Sequence, residues 1–424
     1  MALLLFGVFI LLLFSGIPVA FSMGISSLVY VYFADIPLVI IPQKMYAGID
    51  VFVLLCVPGF ILAGNLMNSG GITERIIGFC NALLGHVRGG LGLANVGASM
   101  IFAGISGTAV ADTASIGAVL IPAMKNEGYE ADFSCAVTAS SSTVGPIIPP
   151  SLPMIIAGTL TGLSVSKLFL AGAIPGIVLG LSLMGVSYMI STKRGHPKGK
   201  RHSLREILRK SVDAFWAILM PIIILGGIIG GVFTPTEASI VVVMYAFFVG
   251  IVIYHELALR SILKIMLETT ITTASIMVLV GFANLFAWIL TTEQIPQFIA
   301  ETILKMTQNK YLILLLVNLL LLFVGAFMET IAALLILFPV LLKLATSVGI
   351  DPIHFAIICV LNLIIGLTTP PVGVCLFVSS SIGKISLGTL TKAILPFLAV
   401  SLIVLLLVTY IPQLSLFLPS LLLK

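Results

Sequence analysis

Apolar runs of roughly 20 residues, the length of a helix that crosses the hydrocarbon core of a bilayer, follow one another along this chain. They limit its possible folds more than any other feature. Only 9% of the 424 residues are charged, whereas soluble globular proteins carry about 25% charged residues. The sequence therefore predicts an all-α polytopic membrane protein with no room for a soluble domain.

The positive charges are concentrated near the middle of the chain. Eight of the 21 Lys and Arg residues lie between Lys193 and Lys210. Basic loops stay on the cytoplasmic side of a membrane, so we expect the loop 193–210 to be cytoplasmic. Binding of anionic lipid is the alternative role for this loop. The net charge of +5 does not indicate nucleic-acid binding, because one loop accounts for so much of it.

The two halves of the chain repeat the same landmarks in the same order. At an offset of 217 residues these are Pro18 and Pro235, Asp112 and Glu329, Thr113 and Thr330, and Pro122 and Pro339. After a four-residue insertion the offset is 221, and they are Gly128 and Gly349, Gly145 and Gly366, Pro149-Pro150 and Pro370-Pro371, Gly162 and Gly383, and Pro175 and Pro396. We infer an internal duplication, which is typical of secondary transporters.

The predicted repeats are residues 1–192 and 214–424, joined by a basic connector, 193–213. Inverted repeats are the commoner arrangement and the one we expect, although the loop charges also allow parallel repeats. In each repeat a first span (2–33; 214–254) and a second span (51–67; 271–290) precede an amphipathic arm along the membrane surface (72–90; 295–309). A re-entrant helical hairpin (98–124; 321–342) and a broken helix (133–157; 354–379) follow, because their Gly and Pro residues interrupt helices inside the bilayer.

The interrupted segments have the composition of a cation site. A sodium ion in the bilayer exchanges its water for protein oxygens, and backbone carbonyls at helix breaks together with Ser and Thr hydroxyls supply them. We expect each hairpin tip to face the break of the following helix. The predicted sodium ligands are Ser106, Gly107, Thr108, Thr143 and Gly145 in the first half, and Gly325, Gly366, Thr368 and Thr369 in the second.

Each interrupted region also contains one acid, Asp112 or Glu329. Acids inside a membrane are costly and usually functional. Capping or hydrogen bonding that shapes the hairpin is favoured for both, with ion ligation and proton transfer as alternatives. Asn362 is interpreted as a member of a polar network. The remaining candidates for substrate contact or hairpin shaping are Ser140, Ser141, Ser142, Pro149, Pro150, Pro370 and Pro371.

No residues of the sequence suggest an enzyme. The five His residues are scattered, and the Gly-x-Ser-x-Gly and phosphate-loop patterns are absent. The positive ends of the half-helices instead favour an anionic substrate group. A passive anion channel and a membrane scaffold that does not transport are the alternative functions.

Five segments carry a resemblance to a known family. They are GHVRGGLGLANV (85–96), FAGISGTAVADTASIGAVLIPAM (102–124), ASSSTVGPIIPPSLPMIIAG (139–158), FTPTEAS (233–239) and NLIIGLTTPPVGVCLFV (362–378). With these motifs the chain resembles the large membrane subunit of tripartite ATP-independent periplasmic (TRAP) transporters. The resemblance extends from the first predicted span to the last.

The resemblance implies an inverted-repeat transporter of the elevator type in the bacterial inner membrane. It implies import of an organic acid anion, driven by a gradient of Na⁺, with sialic acid favoured and C4-dicarboxylates next. The two pseudo-symmetric sites suggest two or more coupling ions. The partners it implies are a small four-helix membrane subunit and a soluble periplasmic substrate-binding protein that delivers the anion.

Overall fold

The computed structural model describes residues 1–199, 201–295, 297–298, 301–302, 307 and 309–423. Within these ranges the side chains of Ala2, residues 103–106 and Leu259 are outside the description. The described chain is helical, with one isolated β-bridge between Arg88 and Lys198. The predicted all-α membrane protein is confirmed, since seven helices of the described chain are long and apolar enough to cross a bilayer.

Ten helices precede the middle of the chain. They are α1 (Ala2–Phe14), α2 (Val19–Phe33), α3 (Ile40–Ile49), α4 (Cys56–Ser69, after a 3-10 turn at Phe52–Leu55), α5 (Ile72–Leu84), α6 (Gly90–Ser106), α7 (Ala109–Asn126), α8 (Ala131–Ser142), α9 (Leu152–Thr161) and α10 (Val165–Arg194).

The described residues of the second half form nine further helices. They are α11 (Leu204–Ile229), α12 (Pro235–Phe248, continued by a π-helical turn at Val249–Ile253), α13 (Leu259–Thr292), α14 (Lys310–Gly325), α15 (Thr330–Ser347), α16 (Pro352–Gly366), α17 (Val374–Gly383), α18 (Leu387–Tyr410) and α19 (Gln413–Leu422).

The predicted first span of each half was wrong, because each is divided by a turn. Residues 2–33 form two short helices, α1 and α2, separated by Gly16 with a φ of +82° and by Pro18, which caps α2. Residues 214–254 belong to α11 and α12, separated by a turn that contains Gly231 with a φ of +66°. Proline fits the first turn of a helix and glycine fits positive φ, so these residues start new helices.

The predicted basic connector, 193–213, was also too long. Helix α10 continues to Arg194, and α11 begins at Leu204 with a capping box formed by Ser203 and Glu206. The capping box satisfies the first amides of α11 and extends the helix into the basic stretch. Two backbone bonds hold the connector against the turn before α6, because Gly89 N donates to Pro197 O and Gly199 N donates to Gly85 O, both at 3.1 Å.

The first predicted arm is a shorter helix than expected. Helix α5 ends at Leu84, and Gly90 already begins α6. Arg75 on α5 forms a 2.7 Å salt bridge with Glu256 and lies 3.8 Å from the ring centroid of Tyr254. The arm is therefore attached to the turn that precedes α13. The second predicted arm, 295–309, lies mainly outside the described residues.

The helices pack in two groups. One contains α1 to α4 with α11 to α13, in which α4 packs on α12 and α13, and α2 and α3 pack on α13. The other contains α6 to α10 with α14 to α19. The arm α5 lies between the groups, because it follows α4 in the chain and packs on both α6 and α11. The groups also meet directly, where α13 packs on α15 and α4 packs on α6. The interrupted segments of both halves belong to the second group.

Candidate functional site

The first helix pair consists of α6 and α7, joined by a two-residue turn. Gly107 adopts a φ of +64° and Thr108 is extended, so the chain reverses between Ser106 and Ala109. Positive φ is easily reached by glycine alone, which explains this residue at the tip. The helices cover 90–126, more than the predicted hairpin 98–124. The side chain of Ser106 lies outside the described residues.

The second helix pair, α14 and α15, has a longer turn, residues 326–329, and covers more than the predicted 321–342. Glu329 is the N-cap of α15, and its Oε2 accepts hydrogen bonds from Ile331 N at 2.9 Å and Ala332 N at 3.3 Å. Acidic caps satisfy amides that have no partner within the helix and interact favourably with the helix dipole. In this structure Glu329 acts as a helix cap.

The first linker, residues 143–151, separates α8 from α9. It begins with a turn of bonds spanning three residues, such as Thr143 N to Ser140 O at 3.2 Å. The hydroxyl of Thr143 donates to the same carbonyl at 2.6 Å. Ser151 caps α9 by accepting from Met154 N, and Pro149 and Pro150 are joined by a cis peptide bond. The last carbonyls of α8 lie at this break, where helices leave acceptors without helical partners.

The second linker, residues 367–373, separates α16 from α17 in the same way. The hydroxyls of Thr368 and Thr369 both donate to Ile365 O, at 2.9 and 3.0 Å. Pro370 and Pro371 are also joined by a cis peptide bond. In both linkers a Thr hydroxyl therefore uses its proton on a helix carbonyl, and its oxygen keeps lone pairs that can accept or coordinate.

At the tip of the first pair, Gly107 lies against the far end of the linker, where a methyl group on it would be 3.4 Å from both Pro150 O and Leu152 N. The predicted approach of this tip to Ser140 to Thr143 stays a prediction, because the side chain of Ser106 lies outside the described residues. Gly145 is approached by Asp112, because a methyl group at Gly145 would collide with Asp112 Oδ2. The acid of the first half thus lies against the first linker, fully buried in the first turn of α7.

The tip of the second pair meets its linker through backbone. A methyl group on Gly366 would lie 2.6 Å from Gly325 Cα and 2.8 Å from Gly325 O, so these glycines are in direct contact. Gly373 N also donates to Ala326 O at 3.3 Å. Only glycine permits such an approach of two chains. The structure thus brings together Gly325 and Gly366, two residues that the sequence had paired.

A buried polar network fixes the first helix pair to α8, and the sequence analysis missed most of it. Asn95 Nδ2 donates to Thr138 Oγ1 at 2.7 Å, and Ser99 Oγ donates to Ser141 Oγ at 2.9 Å. Ser141 Oγ in turn donates to Asn95 Oδ1 at 3.0 Å. Asn95 and Ser99 are four residues apart on α6, a spacing that puts both side chains on one helix face. That spacing was the available signal.

Asn362 occupies the position equivalent to Ser141 at the offset of 221, and it makes the equivalent connection between α16 and α14. Its Nδ2 donates to Asn318 O at 2.9 Å and to Asn318 Oδ1 at 2.7 Å. Asn318 Nδ2 continues the chain to Thr409 Oγ1 at 3.1 Å, and the carbonyl of Thr409 accepts from His354 Nε2 at 3.2 Å. The network predicted for Asn362 is therefore present.

Each half also has a buried side-chain oxygen just before its linker with no hydrogen-bond partner among the described residues. These atoms are Ser140 Oγ and Asn362 Oδ1. Ser140 precedes Gly145 by five residues, and Asn362 precedes Gly366 by four. Buried polar atoms are nearly always paired with protein, water or an ion, so an oxygen of this kind marks a place for one of them.

The two linker regions are close to one another because the halves interlock. Helix α17 of the second half packs on α7 and α8, and α9 of the first half packs on α15. Cys375, in α17, lies close to Thr113 and to both acids, Asp112 and Glu329. Lys125 Nζ donates to Gly383 O at 3.1 Å across the same interface.

The described residues contain no cluster of three or more His, Cys, Asp and Glu side chains suited to a transition metal. The linker regions are rich in hydroxyl, amide and carbonyl oxygens, with one acid in each half. Hard cations such as Na⁺ prefer oxygen ligands, and thiolate and imidazole ligands suit zinc and copper. The composition of both regions therefore fits an alkali cation better than a transition metal.

Comparisons with known proteins agree with this architecture. A family model for the DctM component of the tripartite ATP-independent periplasmic transporter matches residues 6–414. The sialic acid TRAP transporter large permease protein SiaM of Vibrio cholerae is 45% identical over 411 residues, which cover 97% of this chain and 96% of that protein. The C4-dicarboxylate TRAP transporter large permease protein DctM of Pseudomonas aeruginosa is 44% identical over 377 residues, which cover 89% of this chain and 88% of that protein.

A solved structure has the same fold at much lower sequence identity. The YdaH transporter of Alcanivorax borkumensis matches with a TM-score of 0.62 at 14% identity, and the match covers 87% of this chain and 86% of that one. At this identity the likeness concerns the fold alone.

Proposed function

Because this chain belongs to the DctM component family of TRAP transporters, we propose that it couples anion import to a sodium gradient. A member of this family is a large permease subunit for secondary transport of organic anions and not an enzyme. The family membership predicted from the motifs is thereby confirmed. The proposal adds to it the coupling ion, the ion sites and the substrate.

One observation carries the proposal: in each half, the tip of a helix pair (α6–α7 or α14–α15) meets the linker of a broken helix. Gly107 lies against Pro150 and Leu152, and Gly325 lies against Gly366. In each linker the carbonyls at the end of the preceding helix are near Thr hydroxyls whose protons are already donated. A dehydrated Na⁺ requires a set of oxygens of this kind.

The buried oxygens without partners support one ion in each half. Ser140 Oγ precedes the first linker and Asn362 Oδ1 precedes the second. A cation bound in each half would satisfy the unpaired oxygen of that half. We assign the first sodium site to Ser106, Gly107, Thr108, Thr143 and Gly145, with Ser140 added. We assign the second to Gly325, Gly366, Thr368 and Thr369, with Asn362 added.

Asp112 and Glu329 have different roles in this proposal. Glu329 caps α15 and holds the turn of the second pair. The buried carboxylate of Asp112 lies beside Gly145. It would be next to the first sodium ion. A negative charge there would favour a cation, because both lie in a region of low dielectric constant. Neither acid is required to carry a proton.

The anion would bind between the two linkers, where α9 and α17 begin. Helix N-termini present backbone amides and the positive end of the helix dipole, which suits a carboxylate. Sialic acid is the first candidate and a C4-dicarboxylate the second, since the relative named for sialic acid is 45% identical over 97% of this chain and the relative named for C4-dicarboxylates is 44% identical over 89%. Ser142, Pro149, Pro150, Pro370 and Pro371 shape the surrounding backbone.

Transport would occur by an elevator motion, in which the group containing α6 to α10 and α14 to α19 moves against the other. The arm α5, which lies between the groups, supports this division. The full system would include the small four-helix membrane subunit and the periplasmic binding protein, in a bacterial inner membrane. The connector 195–203 would face the cytoplasm.

The test is uptake of radiolabelled sialic acid and succinate into proteoliposomes that contain all three components. We expect accumulation of one anion above its outside concentration only with an inward Na⁺ gradient. Equal accumulation when choline replaces Na⁺ would overturn the coupling. Equilibration without accumulation would favour a passive channel, and the absence of flux with every family substrate would favour a scaffold.

A further inference from the structure

A cavity separate from the linkers lies between the end of α10 and the beginning of α18. Its volume is about 380 Å³, and its basic lining residues are Lys193, Arg194 and Lys392. Phe133 and Pro396 are among its apolar lining residues. It therefore combines positive charge with an apolar wall, at a place where two long apolar helices meet a polar loop.

Two of the three cations in this cavity have no acidic partner. Arg194 is paired, because its Nη1 lies 3.0 Å from both Glu130 Oε2 and Asp132 Oδ1. Lys193 and Lys392 form no ion pair with any residue that the structure describes. Both lysines are exposed, one at the end of each helix that lines the cavity. Their charges are available to an anion.

The wall of the cavity is held in place by His196. The centroid of its ring lies 4.5 Å from the ring centroid of Phe133 and 4.8 Å from that of Tyr129. Its Nε2 is 2.8 Å from Glu130 Oε2. Partial burial alone would raise the pKa of Glu130, but hydrogen bonds from His196 and Arg194 outweigh burial and hold this pKa below its usual range. The carboxylate therefore stays ionised and keeps Arg194 oriented.

The surface next to the cavity is suited to acyl chains. Met189 on α10 is 70% exposed, and Leu395 on α18 is 53% exposed. Both helices have the length and composition of membrane spans. A ligand in this cavity therefore has a charged side at the lysines and an apolar side in the bilayer. A small soluble anion would use only the charged side.

The geometry points to a binding site for the phosphodiester of an anionic phospholipid, such as phosphatidylglycerol, held by Lys193 and Lys392 with its acyl chains along α10 and α18. Basic pockets between membrane helices bind lipid head groups by this chemistry. The site is separate from the proposed ion sites and does not depend on them. It attaches the lipid to the group of helices proposed to move.

The test compares lipid binding to the purified full chain by native mass spectrometry, with phosphatidylglycerol and phosphatidylcholine as probes. We expect wild-type protein to prefer phosphatidylglycerol. In the double variant Lys193→Gln/Lys392→Gln, the ratio of the affinities for phosphatidylglycerol and phosphatidylcholine should fall by about 30-fold. This is the change expected for the loss of two basic side chains near an anionic surface. Lys343→Gln, which removes an exposed lysine outside the cavity, is the control and should bind as wild type does.

Four further results would support or overturn the proposed lipid site. Equal affinity of wild type for the two lipids, or an unchanged preference in the double variant, would overturn the proposal. Inorganic phosphate that competes with phosphatidylglycerol at millimolar concentration, together with equal thermal stabilisation by phosphate alone, would assign the cavity to a soluble anion and also overturn it. An unchanged melting temperature of the lipid-free double variant would show that the lost binding does not reflect unfolding.

Discussion

The two linker regions have the same plan but use different contacts. In the second half, Gly325 and Gly366 touch through their backbones. In the first half, the carboxylate of Asp112 occupies the space beside Gly145, which is the equivalent of Gly366. Both halves therefore retain a contact between a helix pair and a broken helix. The atoms in contact differ, since they are backbone atoms on both sides in the second half and a carboxylate and a backbone in the first.

The difference arises from the lengths of the two turns. The first pair turns at Gly107 and Thr108, so Asp112 falls within the first turn of α7. The second pair turns over residues 326–329, so Glu329 is the cap before α15. Residues paired by the offset of 217 are thus at different positions in their helices. One acid faces a linker and the other satisfies backbone amides.

The largest effect is expected at the backbone contact. In Gly366→Ala the new methyl group would overlap the backbone of Gly325, which cannot rotate away. Overpacking a rigid site costs about 3 kcal/mol, and strain of this size at the sodium site would lower sodium affinity, and with it sodium-driven uptake, roughly 100-fold. Gly185→Ala, where a methyl group meets open space, is the control and should transport normally. Normal uptake by Gly366→Ala would show that the contact is not required.

The next effect concerns the polar connections before the linkers. Asn318→Ala removes the side-chain acceptor of Asn362 and the donor to Thr409, and the unsatisfied groups should cost about 2 kcal/mol of unfolding free energy. Ser99→Ala removes a single hydrogen bond to Ser141, which keeps its bond to Asn95, so its cost should be smaller. Thermal unfolding measures both. Equal losses would contradict the larger role of the second network.

A moderate effect is expected where the first linker meets the acid. In Gly145→Ala the methyl group would collide with the end of the Asp112 side chain. A shift of this side chain from its rotamer costs about 1 kcal/mol, or about fivefold in uptake. Uptake should therefore fall much less than in Gly366→Ala. A loss as large as that of Gly366→Ala would show that both contacts are equally rigid.

The smallest effect is expected when the charge of the cap is removed. Glu329→Gln keeps an oxygen that can accept from Ile331 N and Ala332 N, so stability should fall by less than about 1 kcal/mol and uptake should remain. Glu329→Ala, which has no acceptor, is the matched comparison and should be less stable. If Glu329→Gln abolished uptake and left the melting temperature unchanged, the acid would have a role in transport beyond capping.

Much of the candidate site was predictable because it depends on local chemistry. Gly107, Gly145 and the paired prolines all disfavour a continuous helix, so the positions of both linkers could be predicted from the sequence. The match of Gly325 to Gly366 followed from the repeat. The side of the linker that each tip touches did not follow, because it depends on how α6 and α7 lie against α8 and α9.

Other features required the tertiary structure. Average hydropathy joined α1 and α2 into one span, because two turn residues, Gly16 and Pro18, hardly change the average of a long apolar run. The roles of Asn95 and Ser99 were missed because single polar residues in apolar helices have many possible explanations. The connector was assigned too long, since charged residues such as Arg205 are also good helix formers once Ser203 caps the helix.

The central claim, one cation in each half, is tested most directly by counting bound sodium. Equilibrium dialysis of the purified chain with radioactive Na⁺ should give two ions per wild-type molecule. Thr143→Ala and Thr369→Ala should each lose one ion at sodium concentrations that saturate the other site, and the double variant should lose both. No bound sodium in the wild type, or two ions in both single variants, would contradict the account.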